Sequence, residues 1–148
     1  MIITFCGHSD YVPSKQDEKR ILDFLEEKIG NQSAELFFGG YGNFDGFALL
    51  CGKRYQLTHP NVKLILITPY LTEGFQKNRL NEIRSEYDEI LYPPLEKVPK
   101  RYAILRRNQW MAEQADYVVA YVTHSWGGAY QTLQHAKKRH KEIFSVLH

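Results

Sequence analysis

Cysteine is scarce in this chain: Cys6 and Cys51 are the only two. Both fall in apolar patterns, so buried free thiols in a reducing cytoplasm are expected rather than a disulfide. Two thiols cannot build a zinc site, and the histidines show no ligand spacing, so no metal and no cofactor are expected. No apolar run approaches the roughly 20 residues that span a bilayer, so no membrane-crossing helix and no membrane partner are expected. Met1 leads straight into a short strand pattern rather than a signal peptide, so a cytoplasmic location is expected. Charge of one sign is missing as well: 19 Lys and Arg face 17 Asp and Glu, for a net charge of +2. A dedicated nucleic-acid binder usually carries a basic face, so nucleic acid is not expected as a partner. The Lys97–Arg107 region is locally basic, and a second basic segment, Lys137 to Lys141, leads into the last strand. The chain has no linker, low-complexity tract or internal repeat.

What is present suits one domain over residues 1–148. The length supports a proper core, and 43% hydrophobic content is globular. Aromatic residues reach 14%, with 10 tyrosines. Tyrosine in a loop can stack on a base or a ribose.

Short apolar runs alternate with helical periodicity along the chain. Ile2 to Cys6 reads as a buried strand ending at Gly7-His8-Ser9-Asp10. Ser14 is a candidate N-cap for a helix in which Ile21, Leu22, Leu25 and Ile29 recur at helical spacing. Gly30-Asn31 stops it. Ala34 to Phe38 is a second strand, running into Gly39-Gly40-Tyr41-Gly42-Asn43-Phe44-Asp45-Gly46. A helix is expected from Phe47 to about Leu57, with Asp45 as its N-cap or as a ribose contact. Val62 to Thr68 is apolar almost throughout, as in a strand covered on both faces. Further expectations are a helix near Gln76 to Ser85, a strand from Asp88 to Tyr92 and a helix from Tyr102 to Gln114. A strand from Tyr117 to Val122, a helix from Ala129 to Arg139 and a strand from Ile143 to Leu147 complete the chain.

This order predicts an α/β fold: a single Rossmann-like, doubly wound, mainly parallel sheet with helices on both faces. Right-handed crossovers bring every strand's C-terminal end to one edge, where ligands bind. The glycine turns after strands one, two and five all fall there. The last of them, His124-Ser125-Trp126-Gly127-Gly128, opens a helix, whose unpaired N–H groups favour an anion.

Three segments resemble the SLOG superfamily, which includes the LOG phosphoribohydrolases and the DprA/Smf proteins. Phe5-Cys6-Gly7-His8-Ser9 is similar to the FCGSS turn of LOG proteins. Arg107-Asn108-Gln109-Trp110-Met111 is similar to their RKxxM helix, and Trp126-Gly127-Gly128-Ala129-Tyr130-Gln131 lies where they carry PGGxGT. With GGYGNFD, the combination looks most like small uncharacterised bacterial or phage SLOG proteins. The resemblance implies a nucleotide-type small-molecule ligand and a homodimer. Ligand-binding candidates are Gly7, His8, Ser9, Gly39, Gly40, Tyr41, Gly42, Arg107, Ser125, Gly127, Gly128, Ala129 and Tyr130. The LOG catalytic glutamate falls at Gln134, which has no ionisable carboxylate. A binding or sensing module is therefore expected. The alternative is a nucleotide N-glycosidase that uses Asp45 or Asp10 as its catalytic carboxylate.

Overall fold

The computed structural model describes residues 1–70 and 86–147. Six parallel strands form one sheet in the order β4-β3-β2-β1-β5-β6. They are β1 (Ile2–Gly7), β2 (Ala34–Phe38), β3 (Val62–Ile67), β4 (Glu89–Leu91), β5 (Tyr117–Tyr121) and β6 (Glu142–Ser145). The helices among the described residues are α1 (Lys15–Lys28), α2 (Asn43–Gln56), α3 (Ala103–Gln114) and α4 (Gly128–Lys138). A 3₁₀ turn, Lys100–Tyr102, leads into α3. The Rossmann-like α/β reading of the sequence holds.

Side chains of a strand alternate between faces, and the core divides accordingly. Ile3 and Phe5 of β1 join Leu36, Phe38 and Val119 in one cluster with residues of α1 and α2. Cys6 joins Val118 and Ala120 in another, with Ala112 of α3 and Ala136 of α4. Phe37 turns away from Leu36 and Phe38 to meet Ile65, Ile67 and Met111 of α3. Both faces are thus apolar, which is why these strands read as continuous hydrophobic runs. Each fully buried Leu, Ile or Phe contributes about 1.5–3 kcal/mol relative to exposure. Cys6 and Cys51 are free and buried.

The chain winds outward from β1 to β4, then returns to the other side of β1 with β5 and β6. The direction of winding reverses between β1 and β5. The loops that follow these two strands leave in opposite directions and open a crevice at their C-terminal ends.

Ser14 caps α1 as its spacing predicts, its hydroxyl accepting from the Asp17 amide at 3.2 Å. α2 departs from expectation. It starts at Asn43, with Gly42 as its cap residue and Asp45 inside its first turn. The amides of Asn43 and Phe44 donate to the carbonyls of Ser9 (3.0 Å) and His8 (3.4 Å). The loop after β1 therefore caps this helix, which leaves Asp45 free of that role. β4 and β6 begin one residue away from the expected starts and end earlier, and the helix expected near residues 76–85 lies outside the described residues.

Candidate functional site

The turns after β1, β2 and β5 meet at a cavity of about 360 Å³. Gly7, His8, Ser9 and Asp10 line it from β1, and Gly39, Tyr41 and Asp45 from the β2 loop. Ile104, Arg107 and Asn108 line it from α3, and His124 with residues 126–129 from the β5 turn. Gly40 lies in an adjoining groove of about 310 Å³, which shares Gly39, Tyr41, Ile104 and Arg107 with the first and continues to Tyr70 and Tyr87. Three expected site residues fall elsewhere. Gly42 faces a separate depression beside Ser14 and Lys15, and Ser125 and Tyr130 line none of these spaces. Trp126 and Asn108 line the cavity although sequence reasoning did not select them.

The glycine turns serve different ends. A Cβ on Gly7 would lie 2.3 Å from the Phe44 ring, so this glycine makes room for α2 rather than for a guest. The Gly39 and Gly40 amides are not bare either. They donate to the two carboxylate oxygens of Asp45 at 3.1 and 2.6 Å. Asp45, expected as a cap or a catalytic carboxylate, instead supplies the anion of its own turn. Arg107 is only 3% exposed. Its Nη1 donates to the carbonyls of Gly39 (2.7 Å) and Ile67 (2.8 Å), and its Nε donates to Asn108 Oδ1 (2.8 Å). The guanidinium thus ties the end of β2 to the end of β3. Burial lowers its pKa, opposed by the nearby Asp45 charge.

Burial also pushes the Asp45 carboxyl up to about 6, against the pull of the two amides and Arg107. In the unfolded chain an aspartate ionises near about 3.9. Between those values the folded state holds the proton more tightly. This contribution is therefore fully present below pH 4 and is lost as the pH rises through 6, by up to about 3 kcal/mol. Burial lowers His8, whose contribution runs the opposite way. The readout is thus the difference between wild type and Asp45→Asn in urea midpoints from pH 4.5 to 7. Wild type should lose stability relative to the variant across that window; parallel curves would refute the assignment.

The β5 side of the cavity is built from stacked rings. His8 Nε2 accepts from the Thr123 amide at 2.8 Å, which fixes its proton on Nδ1. Its ring stacks on His124, and His124 stacks on Trp126, each pair with centroids 3.8 Å apart. The stack ends in the open, since Trp126 is 69% exposed. Tyr41, also on the cavity wall, is 80% exposed. Next to Trp126, Gly127 takes φ 92°, a conformation that costs other residues dearly, and starts α4 without a side-chain cap. The amides of Gly128, Ala129 and Tyr130 have no acceptor among the described residues. A Cβ at Gly128 would meet nothing within 4 Å. Of the three turns, this one keeps the uncapped N–H groups and the partial positive charge of a helix start.

No protein-family model and no curated protein matches the sequence. Solved structures do match. DNA processing protein A from Helicobacter pylori, described for its single-stranded DNA binding mode, superposes with a TM-score of 0.62 at 17% identity. The match covers 98% of this chain and 64% of that one. DNA processing protein A (DprA) from Streptococcus pneumoniae gives 0.62 at 16% identity, covering 97% and 49%. This chain thus spans 64% of the length of the first and 49% of the second. The SLOG resemblance holds as a likeness of fold. Two expectations are corrected by these neighbours: a nucleotide-type small molecule, whether merely bound or cleaved at its N-glycosidic bond, and the exclusion of nucleic acid. The fold is shared with DNA-processing proteins, one of them studied for how it binds single strands. The geometry agrees with the correction, because Asp45 and main-chain carbonyls already occupy the β2-loop amides and Arg107 that a free nucleotide's phosphates were expected to use.

Proposed function

We propose that the protein binds single-stranded nucleic acid along the rim formed by the cavity and its adjoining groove. The observation that carries this reading is the exposed Trp126 at the end of a ring stack, beside the uncapped amides of α4. A single strand needs both elements: an aromatic face for an unpaired base and donors for the backbone phosphate. One phosphate sits on the amides of Gly128 and Ala129, and the neighbouring base stacks on Trp126. Tyr41 offers a second platform across the cavity. The path continues past Ile104 toward half-buried Tyr70, where the Lys100 ammonium lies 6.0 Å from the ring centroid. Arg101, next in the chain, adds another charge. His8, Ser9 and Gly39 shape the floor, with the Arg107 guanidinium behind it. Asp10, exposed at the cavity wall, is an acceptor for base amino groups and keeps phosphate away from that side.

A duplex hides its bases and is too stiff to follow such a rim, so strand and duplex should differ. Titration of labelled oligonucleotide into the protein, followed by anisotropy and tryptophan fluorescence, tests this. Trp110 stacks on Phe37, so quenching on stacking should come from Trp126. The expected result is single-strand binding with quenching, and weaker duplex binding. Equal binding of strand and duplex, or binding without quenching, overturns the proposal.

A further inference from the structure

We infer that the basic corner at residues 137–141 is a second contact surface for nucleic-acid phosphates, on the opposite edge of the sheet from the groove. Lys137, Lys138, Arg139, His140 and Lys141 follow one another without interruption. α4 begins at the cavity and runs back for 11 residues, about 16 Å at the usual rise. Glu142, directly after the corner, pairs with Tyr117 at the N-terminal end of β5. The corner and the groove therefore lie at the two ends of one helix.

Four observations separate this corner from an ordinary helix end. Its lysines and arginine carry four formal positive charges, more than the chain's net +2, so everything else is net acidic. A polyanion approaching from a distance is drawn to this end of the molecule. The side chains are not needed to cap α4. Its last carbonyls already accept from the amides of Arg139, His140 and Lys141. Carboxylates do not neutralise the cluster: among the described residues, no ion pair is formed by Lys137, Lys138 or Lys141. Arg139 reaches Glu113 at 3.6 Å, a carboxylate already shared by Arg106 and His135. Finally, the large exposed apolar side chains lie in other segments. An anionic membrane would use charge together with an apolar anchor, and the anchor is missing among the described residues here. Lysine-rich and without large exposed aromatic rings among the described residues, the corner suits backbone phosphates in any sequence rather than bases.

This inference goes beyond the groove reading and does not depend on it. The test measures oligonucleotide binding across a salt series, using a strand long enough to span both edges. It compares the wild-type chain, the triple variant Lys137→Gln, Lys138→Gln and Lys141→Gln, and the groove variant Trp126→Ala with Tyr41→Ala. Losing three phosphate contacts should flatten the log–log salt slope by about 2 on single strands. The groove variant should bind more weakly with the slope kept. A triple variant with the wild-type slope overturns the corner and leaves the groove standing; a groove variant with wild-type affinity does the reverse. If the triple variant loses binding to phosphatidylserine vesicles but keeps that to nucleic acid, the corner is a membrane surface and the inference is wrong.

Discussion

Replacing Arg107 by alanine is expected to destabilise the protein by about 3–5 kcal/mol, the cost of breaking a buried charged network by removing one partner. Two carbonyls, of Gly39 and Ile67, lose their shared donor, and each buried acceptor left unpaired costs about 1–3 kcal/mol. The Asp45 carboxylate loses its neighbouring cation as well. In a chain of this length the loss corresponds to a fall in Tm of roughly 10 °C or more. Thermal and urea unfolding monitored by circular dichroism would check it. Lysine keeps the charge but lacks the planar fork, so Arg107→Lys should recover part of the loss. A change under about 1 kcal/mol for the alanine variant would mean that the guanidinium does not hold the loop. Weak nucleic-acid binding by that variant says nothing about direct contact, because its fold is compromised first.

Trp126→Ala combined with Tyr41→Ala should instead remove binding while sparing the fold. Base–aromatic stacking is worth about 1–3 kcal/mol per base, so losing both platforms predicts an affinity loss of about 30-fold at least. Both rings are mostly exposed, so unfolding free energy should move by no more than about 1 kcal/mol. Anisotropy titrations paired with unfolding curves separate the two effects. Unchanged affinity in the double variant would remove the aromatic rim from the site.

The contrast between these two substitutions marks what could be read from the sequence. Periodicity located the strands well, because both faces of β2, β3 and β5 are covered and their apolar runs are unbroken. Convergence of the turns that hold Gly7, Gly40 and Gly127 followed from the parallel order alone, with Gly40 in the adjoining groove and the other two on the cavity. What each turn does was not legible. Gly7 and Gly127 look alike in sequence, yet one accommodates the Phe44 ring and the other opens a helix with uncapped amides. Asp45 reads in sequence as a cap or a ribose contact, because it precedes the apolar part of α2. Only the fold reveals that the loop after β1 performs that service across 34 residues, from Ser9 to Asn43. Arg107 resembled a ligand arginine by motif, while its burial depends on β2 and β3 lying next to each other. Trp126 stands where the LOG motif has proline, so the motif assigns it no role, although its bulk suits it to a rim that stacks bases. The basic segment Lys137 to Lys141 was legible in the sequence, but its place at the far end of α4 from the cavity was not.

The margins of the sheet bear on how copies of this protein meet. β4 has three residues and β6 has four. Arg20 ties down the chain just beyond β6 by donating to the carbonyls of Ser145 and Val146. A margin that brief gives an incoming strand few open ladder groups to pair with, which protects against stacking into fibrils. Self-association by extending the sheet from molecule to molecule is therefore disfavoured.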